Sequence, residues 1–202
     1  MNFHYKNIKL EVPDSVYFPS EDSIFLAEVI EKEQLENKEC LDMGCGSGFL
    51  SILMAKKNAG VISVDISKNA IKSTEKNAEK NKVKIKVLKS DLFSKIKESY
   101  NIIIFNPPYL LVEHSKKESK QWAAGKRAEI IKKFIEQSKN YLKDNGKILL
   151  LISSLTNEKD ILKAFQINRF LTKIAARKKI FFEELIVVEA CLKGEPRIMN
   201  IT

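Results

Sequence analysis

An α/β fold, with a mostly parallel seven-stranded sheet and helices on both faces, is what this sequence predicts. Three observations carry it. Short apolar runs alternate with helical patterns between residues 39 and 152, and alternation at such short range calls for parallel strands joined by helical crossovers. A glycine-rich segment, Asp42-Met43-Gly44-Cys45-Gly46-Ser47-Gly48, links the first buried strand of that stretch to its first helix. Two last runs, Leu171 to Ala176 and Leu185 to Cys191, read as strands that pair as the closing edge of the same sheet.

Each element has its own signal. Pro19-Ser20-Glu21-Asp22-Ser23 leads into a helix over Ile24 to Ile30, with Ser20 as N-cap and two acids in the first turn. Strands follow at Glu39 to Met43, Val61 to Val64, Val83 to Leu88, Ile102 to Phe105 and Ile148 to Ile152, each a short apolar or alternating run. Helical patterns fill Phe49 to Lys57, Lys68 to Lys80 and Arg127 to Leu142, the last carrying Ile130, Ile131, Phe134, Ile135 and Leu142 on one face. Asn145-Gly146 is the stop expected to end that helix. A further helix lies near Asp160 to Ile167. With 202 residues, 44% of them hydrophobic, and no linker, repeat or low-complexity stretch, the expectation is one domain over 1–202.

Composition excludes several classes. No stretch approaches the roughly 20 apolar residues of a membrane span, and Met1-Asn2-Phe3-His4-Tyr5-Lys6 lacks the apolar core of a signal peptide. Cys40, Cys45 and Cys191 have no metal-ligand spacing and are too few for a disulfide framework; no metal site and a reducing cytoplasm are expected. The formal net charge of +9 favours an acidic or polyanionic partner, nucleic acid included. The lysines, however, are spread over Lys68 to Lys97 and Lys116 to Lys147 in ordinary surface positions, so a solvated surface accounts for them as well. His114, in the polar stretch Glu113 to Gln121, reads as a solvated loop residue and His4 as part of a surface terminus.

The glycine segment permits φ values barred to other residues and leaves no Cβ between backbone and ligand, which suits a nucleoside-bearing cofactor. Asp65 ends the second strand of the alternating stretch and follows Gly44 by 21 positions (65 minus 44). A carboxylate there can accept from both ribose hydroxyls, as the acid of dinucleotide-binding folds does. NAD is therefore a competing cofactor, although the loop reads Gly-x-Gly-x-Gly rather than Gly-x-Gly-x-x-Gly. Asp91 can accept from an adenine amino group while Leu92 covers the ring; alternatively Asp91 caps a helix over Leu92 to Lys97. Asp42 is either a further acid of the site or one that orients the loop amides. Several acids together suit a cationic ligand, such as a sulfonium that also bears an ammonium group.

Asn106-Pro107-Pro108-Tyr109 follows the apolar run Ile102 to Phe105. The prolines fix φ and remove two N–H donors, so the local carbonyls meet a guest amino group without competing donors. Asn106 Oδ1 and the Pro107 carbonyl can accept from a planar NH2, and Tyr109 offers it a flat face. The alternative is a plain Asn-Pro-Pro turn. Trp122, the one tryptophan, either leans over the substrate or caps the core.

Together these residues resemble the S-adenosylmethionine methyltransferases that modify planar amino groups. Val16-Tyr17-Phe18-Pro19-Ser20-Glu21-Asp22-Ser23 is similar to the N-terminal signature of their HemK-like branch, which in archaea and eukaryotes methylates a glutamine side chain of translation termination factors. Chain length, without an extra N-terminal domain, also looks like that branch. The resemblance covers Val16 to about Leu151 and implies a Rossmann-like class I methyltransferase. It assigns S-adenosylmethionine to Ser23, Asp42, Gly44, Gly46, Asp65, Asp91, Leu92 and Asn106, with residues 1–35 covering cofactor and substrate. It gives the methyl acceptor to Asn106, Pro107, Pro108 and Tyr109, and catalysis to Asn106, Pro107 and Tyr109. As partners it implies a termination factor and a small zinc-binding activator that pairs with the sheet edge. The family's Trp-Ala-Gly-Gly segment is here Trp122-Ala123-Ala124-Gly125, poorer in glycine. An adenine N6-methyltransferase acting on RNA or DNA would present the same clamp, and a non-catalytic nucleotide-binding module would leave Asn106 and Tyr109 without a purpose.

Overall fold

The computed structural model describes residues 1–107, 117–181 and 183–194. An antiparallel hairpin of β1 (Asn2–Tyr5) and β2 (Ile8–Glu11) precedes α1 (Glu21–Glu31). The chain continues through β3 (Glu39–Met43), α2 (Phe49–Lys56), β4 (Gly60–Asp65), α3 (Lys68–Lys80), β5 (Lys86–Lys89) and β6 (Tyr100–Phe105). It closes with α4 (Lys117–Ser138), β7 (Leu142–Ser153), α5 (Glu158–Ile167), β8 (Phe170–Lys179) and β9 (Glu184–Leu192). Seven strands form one sheet in the order β5-β4-β3-β6-β7-β9-β8. Pairing is parallel from β5 to β7, and β9 runs antiparallel to both its neighbours. This is the predicted α/β sheet, mostly parallel and closed by two late strands.

The unbroken apolar runs of the central strands follow from burial on both faces. Cys40, Ile102, Ile104, Leu149 and Val187 face a core shared with α1, α2 and the hairpin. Leu41, Met43, Ile103, Phe105 and Leu150 face a second core, filled by Ile131, Phe134 and Ile135 of α4 and by Ile161 and Phe165 of α5.

The hairpin was not expected from the sequence, although Phe3, Ile8 and Leu10 alternate with exposed residues as a half-buried ribbon should. Helix α3 holds it in place. Asn81 Oδ1 accepts from Lys9 N at 3.1 Å and its Nδ2 donates to Lys9 O at 2.8 Å; Asn77 does the same with Glu11, at 2.9 and 3.1 Å. Asn77 Nδ2 also donates to Ser47 O at 2.9 Å, which ties the hairpin to the glycine loop.

Several boundaries differ from expectation: α4 starts at Lys117 rather than Arg127, and Leu142, expected on its apolar face, instead begins β7. β5 starts at Lys86 rather than Val83, because Val83 N donates to Ala78 O at 3.1 Å and Lys82 takes φ +56, so these residues finish α3. Asn145-Gly146 does not end α4, which stops at Ser138; the pair lies inside β7. There Tyr100 pairs with Leu142 but Ile102 pairs with Lys147, so the extra residues make a bulge. A Cβ on Gly146 would sit 2.8 Å from both Lys143 O and Tyr100 O, which is why glycine occupies that position.

Candidate active site

Strand order reverses between β3 and β6, which are parallel neighbours with Met43 opposite Phe105. Ligands of open α/β sheets bind at the carboxyl ends of strands at such a reversal. A cavity of about 510 Å³ opens there, a volume suited to a small cofactor. Ser23, Asp42, Gly44, Gly46, Asp65, Asp91, Leu92, Asn106 and Pro107 all line it, so the structure brings these sequence-predicted residues together. Pro108, Tyr109, His114 and the side chain of Trp122 lie outside the described residues.

On the β3 side, Gly44 N and Cys45 N both donate to Val64 O, at 2.8 and 3.0 Å, pinning the loop to β4. Gly48 takes φ +84, and a Cβ there would stand 3.0 Å from Thr74 Cα, so α2 can start this close to α3 only from a glycine. Asp65 accepts from Gly46 N at 3.0 Å through Oδ2 and from Ser67 N at 2.8 Å through Oδ1. Each oxygen keeps a further lone pair for a guest hydroxyl. Asp42 is buried, and Ser63 donates to Ser51 at 2.8 Å while Ser51 donates to Asp42 Oδ2. Burial, helped by nearby Asp65, pushes the Asp42 carboxyl up to about 7 despite the Ser51 hydrogen bond.

At the mouth, no α-helix forms over 92–97; the segment turns instead, with Leu92 at φ +45, and Ser90 Oγ rather than Asp91 accepts from Lys95 N at 3.1 Å. Asp91 therefore does not cap a helix. It faces the cavity with Lys133 Nζ 3.8 Å away. Ile66, 65% exposed just after Asp65, also lines the wall and offers apolar surface for a flat ring.

On the β6 side, Asn106 Nδ2 donates to Asp22 Oδ2 at 2.9 Å and to Ser23 Oγ at 3.4 Å. Asn106 Oδ1 is buried and has no hydrogen-bond partner among the described residues. Asp22 Oδ1 accepts from Tyr17 OH at 3.0 Å, Ser20 Oγ at 2.9 Å and Ser23 Oγ at 3.3 Å. Ser20 is thus at the N-cap of α1 as expected, but its hydroxyl serves Asp22 and makes no cap hydrogen bond. The Pro107 carbonyl accepts from Arg127 Nη2 at 3.3 Å. Asp22, Ile66 and Arg127 were not singled out from the sequence; only the two acids of the α1 first turn hinted at the first.

A model of the Methyltransferase small domain matches residues 20–181, well over half of the chain. The chain belongs to the methyltransferase small domain family. A Methanocaldococcus jannaschii relative, provisionally named protein N5-glutamine methyltransferase, is 38% identical over 196 residues, covering 94% of this chain and 98% of the relative. The release factor glutamine methyltransferase of Lactococcus lactis is 32% identical over 161 residues, covering 73% of this chain and 60% of that longer protein. The methyltransferase fold also matches the E. cuniculi Mtq2–Trm112 complex, which is responsible for the methylation of the eRF1 translation termination factor. That match has a TM-score of 0.69 and 24% identity over 88% of this chain and 99% of that one, a likeness of fold.

A methyltransferase of this family takes its methyl group from S-adenosylmethionine, and the cavity fits that cofactor. Asp42, Asp65 and Asp91 face it against a single lysine among its described lining residues, Lys133, and a Cβ on Gly46 would meet nothing within 4 Å, so the loop backbone borders open space. Asp42, which lines the cavity with its carboxyl raised, is expected to make cofactor binding pH-dependent. Without ligand its carboxyl is largely protonated below about 7, and a cationic ligand favours the ionised form. S-adenosylmethionine should bind several-fold more tightly at about pH 8 than at about pH 6, with proton release, and S-adenosylhomocysteine, uncharged at sulfur, should respond less. Calorimetry in buffers of different ionisation enthalpy reads this directly; equal pH-independent affinities would remove Asp42 from the linkage. The sign for folding is opposite. Between 3.8 and about 7 the folded chain holds a proton that the unfolded chain has lost, so this group's contribution to stability falls as pH rises through that window.

Proposed function

We propose that this methyltransferase transfers a methyl group to N5 of a glutamine side chain in a translation termination factor, as a member of the archaeal and eukaryotic HemK-like branch. The observation that carries the reading is Asn106 Oδ1: Asn106 lines the cavity, its amide is held through Nδ2, and among the described residues nothing donates to its oxygen. A planar NH2 is the guest that such an atom suits. The near end-to-end match with the Methanocaldococcus jannaschii relative supports glutamine as the acceptor and supports the branch.

When bound, S-adenosylmethionine supplies an electrophilic methyl carbon whose bond to sulfur breaks as the nitrogen–carbon bond forms, the electron pair staying on sulfur. Ser23, Asp42, Gly44, Gly46, Asp65, Asp91 and Leu92 would hold it. Asn106 Oδ1 and the Pro107 carbonyl accept from the two amide protons of glutamine and turn its nitrogen towards the cofactor. An amide nitrogen is a weak nucleophile because its lone pair is shared with the carbonyl. Acceptors on its protons raise its electron density and stabilise the positive charge it gains, before one proton leaves to solvent. On this reading residues 1–202 act as one cytoplasmic domain, with 1–35 covering the site; Val16, Tyr17 and Pro19 already line the cavity. The small activator implied by resemblance, and supported by the Mtq2–Trm112 neighbour, would pair with β5, the free edge of the parallel half.

One observation favours a second reading, adenine in nucleic acid: the formal charge of +9. Labelled S-adenosylmethionine offered with termination factor or with RNA, each with and without an activator, separates the two. Transfer to the factor should survive nuclease, vanish when the target glutamine is replaced, and show a shallow salt dependence. Label in N6-methyladenine with a steep salt slope would replace the glutamine reading.

A further inference from the structure

We propose that Asp22 is the positioning residue of the acceptor clamp: it sets the orientation of the Asn106 amide and polarises Oδ1 towards the incoming N–H. The inference rests on the proposed function only in taking a planar NH2 as the guest. Its basis is the way a buried carboxylate is held. Asp22 is 3% exposed and lies at the start of α1, 84 residues from Asn106 in sequence. Oδ2 accepts a hydrogen bond from Asn106 Nδ2, and Oδ1 accepts from three hydroxyls, those of Tyr17, Ser20 and Ser23. Among the described residues no lysine, arginine or histidine forms an ion pair with it. Hydroxyl dipoles solvate the charge without cancelling it, so the amide of Asn106 meets at hydrogen-bond distance a carboxylate that no cation among the described residues balances.

Two consequences follow. A carboxylate has only acceptor sites, so the Asn106 atom that faces it is the nitrogen, and Oδ1 is turned away from it. An amide whose N–H donates to a carboxylate also carries more negative charge on its oxygen, because linked hydrogen bonds polarise one another. The other arm of the clamp is built with the opposite sign: the Pro107 carbonyl receives a guanidinium N–H from Arg127, which is itself 8% exposed. A cation on that oxygen draws its electrons away from the guest. The clamp is therefore asymmetric, with Asn106 Oδ1 the stronger acceptor and Pro107 the fixed stop. The alternative, that Asp22 is only a favourable acid in the first turn of a helix, predicts a loss of stability and no specific effect on turnover.

Asp22→Asn and Asp22→Ala in the full chain test this by two routes. In ¹⁵N–¹H spectra, the Asn106 side-chain pair, assigned by its loss in Asn106→Ala, should show one proton shifted downfield and protected from exchange, and both features should vanish in Asp22→Ala. In kinetics with the unmethylated acceptor protein, kcat should fall about tenfold in Asp22→Asn, which keeps an acceptor but loses the charge, and about a hundredfold in Asp22→Ala. KM and affinity for S-adenosylhomocysteine should stay within about threefold of wild type. An Asn106 signal indifferent to Asp22, or variants that lose melting temperature and cofactor affinity while kcat holds, would overturn the assignment. Should Asp22→Ala fail to fold, the near-isosteric Asp22→Asn still decides the question through its kcat. A wild-type chain that shows the coupled Asn106 signal but methylates no termination factor defeats the glutamine reading and supports the hold of Asp22 on Asn106.

Discussion

Asn106→Ala is expected to lower kcat by about 10²–10³ while S-adenosylmethionine affinity stays close to wild type. The oriented acceptor disappears, but the glycine loop and Asp65 sit on other strands and keep their own hydrogen bonds. Stability should not be wholly unaffected, because Asp22 Oδ2 loses the donor it now has; a buried acceptor left without a partner costs about 1–3 kcal/mol. Asn106→Asp should be no better. It preserves size and an acceptor, yet it sets a second carboxylate where the amide now meets Asp22 at 2.9 Å. One of the two must then take up a proton or both must move apart. Single-turnover methyl transfer alongside calorimetry measures both variants. Near-normal transfer by either one with normal cofactor binding would mean that Asn106 does not aim the acceptor nitrogen.

Much of the fold was legible because its signals are local. α3 runs from Lys68 to Lys80 as the pattern predicts, and the strands ending at Met43 and Phe105 end where their apolar runs do. The misses fall where a local signal has two structural uses. Asn-Gly favours left-handed backbone, which can end a helix or form a bulge; Asn145 takes φ +60 inside β7, and nothing in the dipeptide says which use applies. The β1–β2 ribbon escaped because eight strand residues give little periodicity, and its fixing depends on Asn77 and Asn81 far along the chain.

The site was legible by residue type and less so by partnership. Acids and glycines at strand ends could be placed at one crevice because the topology of parallel sheets puts strand ends together. That Asp22 holds Asn106, or that Arg127 holds the Pro107 carbonyl, could not be read, since both contacts join elements remote in sequence through side chains. Asp91 shows the converse: its cavity-facing position agreed with expectation, while the competing helix-cap reading fails because no α-helix follows it. Asp65 turned out to have a double task, loop anchor as well as candidate ribose acceptor.

That double task shapes the expected behaviour of Asp65→Ala. Affinity for S-adenosylmethionine should fall by about a hundredfold or more, since two hydrogen bonds to an ionised group are worth about 1.5–3 kcal/mol each. The loop contributes part of the expected loss, because Gly46 N and Ser67 N lose their acceptor. A 2′-deoxyribose analogue of S-adenosylhomocysteine separates the two contributions. If the carboxylate binds the ribose, removing the hydroxyl should weaken wild-type binding about tenfold and leave Asp65→Ala no weaker than it already is, a coupling that a double-mutant cycle reads directly. Additive losses would show that Asp65 acts only by holding the glycine loop, and the ribose would then need another partner on the β4 side of the cavity. Unchanged affinity of a folded Asp65→Ala for the natural cofactor would remove Asp65 from the binding site altogether.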